Sequence, residues 1–551
     1  MSLKPDPIPP IPLQTQRVAQ AAFPRGNVYM QMRDQLGVLY EDTDFADLFP
    51  TLGQPADAPW RLALVTVWQF LENLTDRQAA DAVRSRIDWK YGLSLELEDE
   101  GFDHTVLSEF RTRLVAGNAE LRLLDLLLTQ GKQHGWVKAR GRQRTDSTHV
   151  LAKIRALNRL LCVAQTLVAV LAVLAEVAPD WLLTMVEPEW TARYGYRLEH
   201  ERLPQGEDAR QQYANQVGTD GWTLLIALDA PTTPEWLRNL PVIERMRRIW
   251  DQQYWPLEAG GQWRDKAHAV PPAQMINSPY DEDARYSMKR STLWVGYKVH
   301  FSETCDAGRP HLITHVATTR AGVSDDRMTR PIHSALQAKD LLPAEHLVDT
   351  GYVDAELLIT SQQEFGVDLV GPTRKNYQWQ AQQQTGFATD DFAIDWERKV
   401  ARCPEGKLSS SWTPAVDRRT NDVIKIKFAT RDCQPCPSRS RCTTAKRHTR
   451  RTVTVRPQEQ AQALHAARTR EATPEFRVAY HQRSGIEGTH SQATRTMGLR
   501  RSRYVGLAKT HLQHVATAVA MNLLRLIAWQ NDIPLARTRH SPFLLLMQAT
   551  G

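Results

Sequence analysis

Several features are scarce in this chain of 551 residues, and each scarcity closes a class of function. Its glycines form neither a phosphate-binding P-loop nor a dinucleotide turn, so no nucleotide cofactor is expected. Cysteine is sparse. Of six, four lie between Cys403 and Cys442, a distribution unlike a secreted disulfide scaffold. Long apolar runs are missing too. The longest, Leu160 to Ala175, is interrupted by Gln165 and Thr166, stops at Glu176, and falls short of the ~20 residues a membrane span needs. It reads as a buried helix, and no membrane partner is expected. Residues 1–13 carry Pro5, Pro7, Pro9, Pro10 and Pro12 without an apolar core of the secretory kind, so they read as a loose leader on a cytoplasmic protein.

Acidic residues are absent from two long stretches. From Gly488 to Gln530 there is none, while Arg495, Arg500, Arg501, Arg503 and Lys509 cluster near the start. Ser438 to Arg456 holds seven Lys or Arg and no acid. Uncompensated cations of this kind suit a polyanion, and Gly498 to Tyr504 reads as a phosphate track. A solvated helix face is the plainer alternative. The net charge of +7 and pI near 9.0 permit a nucleic-acid partner without requiring one.

The patterning divides the chain. Residues 14–140 read as helical, with Pro59 inside a first turn after Asp57, and Thr75 and Gln78 at capping-box spacing. Leu74 to Val83, with helices on either side, is a candidate helix-turn-helix DNA reader; a plain helical bundle is the alternative. Residues 141–151 read as a first core strand and 152–279 as a helical insertion. Over 280–371 the pattern gives a strand at Leu293–Phe301, another at His311–Thr318, a helix from Asp326, a strand at Glu345–Asp349, a helix, and a strand at Val367–Gly371. That order defines a mixed α/β core. Residues 372–472 turn β-rich, with Ile424, Ile426 and Phe428 alternating with lysines. Residues 473–551 return to helix.

Three acids stand in distinct settings. Asp146 sits in Gln-Arg-Thr-Asp-Ser-Thr-His, and Asp349 in His-Leu-Val-Asp-Thr-Gly-Tyr, each at the end of a short buried strand. Glu487 follows Tyr480 and Arg483 at spacings of three and four, which stacks the trio on one helix face. Two strand-borne aspartates and a helix-borne glutamate can converge on a pair of Mg²⁺ or Mn²⁺ ions ~4 Å apart, a ligand set for phosphoryl transfer on nucleic acid. Crowded without metal, such carboxylates repel, and at least one should hold its proton more tightly than usual. Arg483 can grip a phosphate, and Tyr480 can stack on an unpaired base. The bland alternative for each acid is a cap or a salt bridge.

On these motifs the chain resembles bacterial DDE transposases of the insertion-sequence 4/5 clan, closest to the insertion-sequence-1182 group. Tyr480, Arg483 and Glu487 match the Y-(2)-R-(3)-E-(6)-K signature, but Thr494 stands where the signature has Lys, with Arg495 next to it. The resemblance implies a ribonuclease H-like core and catalysis by Asp146, Asp349 and Glu487 as metal ligands. It also implies action on double-stranded DNA at terminal inverted repeats and at a target, by a homodimer on paired ends, at the nucleoid. A metal-dependent nuclease of the same fold, or an inactive DNA-binding relative, are the alternatives.

Cys433-Gln-Pro-Cys436, with Cys442 beyond and Cys403 upstream, supplies four thiolates for a structural zinc site, although only one C-x-x-C knuckle is complete. Reduced buried cysteines are the competing reading. Cys162 and Cys305 read as inert core residues, and His149 and His300 as structural neighbours of the acidic site.

Overall fold

A computed structural model describes residues 2–155, 157–195, 203–289, 291–376, 378–382, 385–418, 420–534 and 542–549. Its centre is a curled mixed sheet of six strands: β1 (Arg142–Leu151), β2 (Arg285–Lys289), β3 (Thr292–Thr304), β4 (Ile313–Arg320), β5 (Glu345–Val348) and β6 (Asp368–Val370). The strand order is β2-β3-β1-β5-β6, with β4 also paired to β3. β3 runs antiparallel to β1, placing Asp146 opposite Phe301. β5 runs parallel to β1, placing Thr145 opposite Val348. Helices flank the sheet, so the fold is α/β, consistent with a ribonuclease H-like core carrying helical and β-rich insertions.

Local chemistry explains the element ends. Pro59 opens the helix Pro59–Leu71 as expected, but Ala58 precedes it with no side-chain cap, so Asp57 does not serve there. Thr75 and Gln78 form the capping box of Asp76–Ser85. The Asp103 carboxylate accepts the Thr105 N–H at 2.9 Å and starts His104–Ala116.

The helix Leu507–Gln530 is buried along most of its length. It packs on β4 on one side and on amino-terminal helices on the other. One apolar core therefore runs from Trp68, Trp89 and Leu124 through Val519 and Leu523 to Val299 and Phe301. The amino-terminal helices share the core of the sheet instead of closing a core of their own. The start of the leader is docked rather than loose: the Ser2 N–H donates to the Gln54 carbonyl at 2.6 Å, and Leu3 is buried.

Two further clusters stand apart from that core. Helices between Arg159 and Gln253 gather around Val163, Leu224, Met246 and Trp250. Within this group, Arg159–Val177 is the one described helix long and apolar enough to cross a membrane by composition, and half of it is buried. A three-stranded antiparallel sheet, Ser409–Val416, Asp422–Phe428 and Thr452–Val455, closes over Phe392, Ile426, Phe428 and Val453.

Candidate active site

The parallel pairing of β1 and β5 builds the site. Thr145 and Val348 are register partners, so Asp146 and Asp349 directly follow the paired residues of two neighbouring strands. Ser147 N–H donates to Asp146 Oδ1, and Gly351 N–H to Asp349 Oδ1, both at 2.8 Å, which fixes each carboxylate from its own backbone. The Asp349 carboxylate thereby caps the short turn Thr350–Tyr352. A Cβ on Gly351 would lie 2.9 Å from Asp349 Oδ1 and 3.2 Å from Asp325 Oδ2, so glycine is what lets the turn approach both.

Both aspartates hold their protons more tightly than ordinary carboxylates. For Asp146 the chief cause is burial, which Arg483 offsets in part. For Asp349 it is burial first and then repulsion from Asp146. Asp146 is thus close enough to oppose the ionisation of Asp349.

Arg483 and Glu487 complete one side. Arg483 lies 2.8 Å from Asp146 Oδ2 and 3.1 Å from Glu487 Oε1, bridging strand and helix. Tyr480, Arg483 and Glu487 do not share a single α-helix, however. Pro474–His481 ends, a 3-10 turn spans Gln482–Ser484, and a second α-helix runs Gly485–Thr496. At this turn the Arg144 guanidinium lies where a Gly485 Cβ would be and donates to the Gln482 carbonyl. Tyr480 stacks on Phe476, with centroids 5.4 Å apart and planes at 10°.

A fully buried carboxylate anchors that second helix. Glu303 on β3 meets Arg144 at 2.6 Å, Arg525 at 2.8 Å and the Thr489 hydroxyl at 2.6 Å. Burial would raise its pKa, but the two guanidiniums pull it below the usual carboxylate range. Thr489 lies two residues beyond Glu487, so this cluster fixes the Glu487 helix on the sheet.

Sequence reasoning missed Asp325. Its Oδ1 accepts from Lys298 Nζ at 3.1 Å and Ser147 Oγ at 3.2 Å, and its charge opposes ionisation of both Asp146 and Asp349. It sits just before the helix Asp326–Gln337, and nothing in its local sequence distinguishes it from an ordinary cap. His300 is structural, its Nδ1 sharing a 2.6 Å hydrogen bond with the Tyr352 hydroxyl. His149 packs beside Trp294 at 5.5 Å.

The basic residues have divided fates. Arg495 and Arg500 line a groove with Asp146 and Glu487. Arg500 Nε donates to Thr148 Oγ1 at 2.9 Å. Arg501 is exposed. Arg503 is engaged within the molecule, bonded to Asn73 and Leu74 and lying over Phe70 at 4.7 Å. In the β-rich lobe, Arg451 donates to the Cys442 carbonyl and Arg456 pairs with Asp354, so neither is a free DNA-facing cation.

Cys403, Cys433, Cys436 and Cys442 line one cavity with Phe387 and Phe428. Burial pushes the Cys442 thiol up to about 11, with the other three cysteines adding to the shift. Among the described residues, no group of three or more His, Cys, Asp and Glu is drawn into the geometry of a metal site. In donor type both sets fit: hard carboxylates for Mg²⁺ or Mn²⁺, and thiolates for zinc.

Comparison with protein families bears on the same regions. Residues 17–113 match the model of a transposase domain (DUF772), and residues 402–527 match the transposase DDE domain. No curated protein matches the chain. The second match spans Glu487 and the cysteine lobe, while Asp146 and Asp349 lie outside both. These matches make the chain similar to transposases over its amino-terminal helices and over the region that carries Glu487.

Proposed function

We propose that this protein cleaves DNA at the terminal inverted repeats of an insertion sequence and joins the freed ends to target DNA. The observation that carries the reading is the placement of Asp146 and Asp349 directly after the paired Thr145 and Val348 of β1 and β5, with Arg483 bridging Asp146 to Glu487. Asp146, Asp349 and Glu487 would hold two Mg²⁺ or Mn²⁺ ions, which when bound supply an activated nucleophile and charge neutralisation. The relationship to insertion-sequence-1182 elements belongs to the same reading.

In the first step a water oxygen attacks the phosphorus at the element boundary. The P–O3′ bond breaks, and the 3′ oxygen leaves as a hydroxyl. In the second, that hydroxyl attacks a target phosphodiester and releases another 3′ hydroxyl. Arg483 is suited to hold a non-bridging phosphate oxygen once its carboxylate partners are otherwise engaged. Paired ends call for a homodimer. Cys403, Cys433, Cys436 and Cys442 would bind a structural zinc that ties the β-rich lobe together.

The test is an in vitro reaction of purified protein with a duplex carrying the flanking end sequence and a supercoiled target. Cut ends joined to the target support the full reading. Cutting without joining would reduce it to a nuclease.

A further inference from the structure

Asp325 stands immediately before the helix Asp326–Gln337, yet its carboxylate makes no capping hydrogen bond there. It turns instead toward the acidic site. Oδ1 accepts from Lys298 Nζ at 3.1 Å and from the Ser147 hydroxyl at 3.2 Å. Oδ2 accepts from no described residue and lies beside the Asp349 turn. The position a Gly351 Cβ would take is 3.2 Å from this oxygen and 2.9 Å from Asp349 Oδ1. The two oxygens are therefore no more than about 6 Å apart, within the span of a site that holds two ions ~4 Å from each other. Asp325 keeps 12% of its side-chain surface and Asp146 keeps 13%, so a small ion reaches both.

Charge at the site does not balance. Asp146, Asp325, Asp349 and Glu487 bring four negative charges. Arg483 bridges Asp146 and Glu487, and Lys298 meets Asp325. Among the described residues no other cation lies within 4.0 Å of these acids, and Asp349 has none. Lys289 acts on Asp146 and Asp325 from farther off. Two negative charges are left over, and buried charges are ordinarily paired or hold a metal. One divalent ion supplies the difference.

We propose that Asp325 is a fourth carboxylate of the metal site, holding a Mg²⁺ or Mn²⁺ ion jointly with Asp349, with Lys298 as the cation that takes the ion's place beside it in the metal-free protein. The proposal rests on the metal-dependent reading above and extends its ligand set beyond Asp146, Asp349 and Glu487. These ions take hard oxygen donors, and a carboxylate oxygen without a partner beside Asp349 is one. Lys298 does not depend on Asp325 for its own position, because Nζ also donates to the Val323 carbonyl at 2.7 Å. Toward Asp325 it stands as Arg483 stands toward Asp146.

The test is Mn²⁺ binding to the full-length protein without DNA, followed by calorimetry and by loss of the free-ion signal in electron paramagnetic resonance. Asp325→Asn keeps the shape and an acceptor for Lys298 and Ser147, and denaturant unfolding checks that it is folded. Its Mn²⁺ binding should weaken at least about tenfold, since even outer-shell partners of a metal count on that scale, and Asp349→Asn should weaken likewise. Asp326→Asn, one position on and paired with Arg374, should bind Mn²⁺ as the wild type does. If Asp325→Asn does not fold, Lys298→Met decides: tighter Mn²⁺ binding supports the proposal, and equal or weaker binding overturns it. A folded Asp325→Asn with wild-type Mn²⁺ affinity, beside a weakened Asp349→Asn, would overturn the proposal and leave the metal reading intact. No Mn²⁺ binding by the wild type would overturn both. Binding that depends on Asp325, in a protein that cuts no end DNA in Mg²⁺, would keep the fourth carboxylate and remove the transposase reading.

Discussion

The Arg483 guanidinium lies 2.8 Å from the Asp146 carboxylate, so the positive charge beside this buried acid comes from the protein itself. The same side chain reaches Glu487 at 3.1 Å. Any divalent ion that takes both carboxylates must displace a guanidinium already bound there.

That competition makes the first prediction. Arg483→Gln removes the resident cation, and the metal then has less to displace. Calorimetry without DNA should show tighter Mn²⁺ binding than in the wild type. Cleavage should nonetheless fall, by about tenfold or more, because an arginine-to-phosphate contact is lost. Weaker Mn²⁺ binding by the variant would mean that Arg483 orders the carboxylates instead of competing for them.

The second prediction concerns Glu303, fully buried between Arg144 and Arg525. Glu303→Ala leaves two guanidiniums without their carboxylate and should cost about 3–5 kcal/mol in denaturant unfolding. Glu303→Gln keeps the shape and should cost less. Equal stability of the alanine variant and the wild type would refute an anchoring role for the cluster.

The third concerns pH. Burial pushes His300, His315 and His514 down to about 3, and His333 and His511 to about 4. An unfolded chain takes up those protons near pH ~6.5, whereas the folded chain refuses them until pH 3–4. Stability should therefore be complete above pH ~7 and fall as pH drops from ~6.5 toward ~4. Asp146 and Asp349, with raised pKa values, act in the opposite sense but are outnumbered by the histidines. Thermal unfolding across this range measures the trend; a midpoint that rises on acidification would contradict it.

The fourth concerns the β-rich lobe. Purified protein should carry about one zinc per chain. Cys433→Ser and Cys442→Ser should each release it and loosen the lobe around Phe428. Elemental analysis finding no zinc in freshly purified protein would reject the site and leave four reduced cysteines around a cavity.

Much of the core was legible because its signals are local. The apolar run before Asp349 marks β5, and the alternation of Ile424, Ile426 and Phe428 marks a strand of the lobe, whereas Asp146 falls in the middle of β1 and not at a strand end, behind the polar run Arg142–Thr145. The 3-10 turn at Gln482–Ser484 was not legible. Positions 480, 483 and 487 satisfy an unbroken α-helix, and Arg144, which donates to the Gln482 carbonyl within the turn, lies more than three hundred positions away in sequence. The same reason hid Asp325, brought to the carboxylates by Lys298 on another strand, and the engagement of Arg503 with Asn73. The shared core was hidden because helical periodicity shows which face is buried, not what covers it.

The most direct test of the central claim is strand cleavage of end DNA by purified protein in Mg²⁺, repeated with Asp146→Ala, Asp349→Ala and Glu487→Ala. The account predicts cleavage by the wild type, none in excess EDTA, and none by any of the three variants, each of which should still bind the duplex with an affinity set mainly by basic contacts. Near-normal cleavage by any one folded variant would remove that residue from the catalytic set, and robust cleavage in EDTA would contradict the metal-dependent mechanism itself.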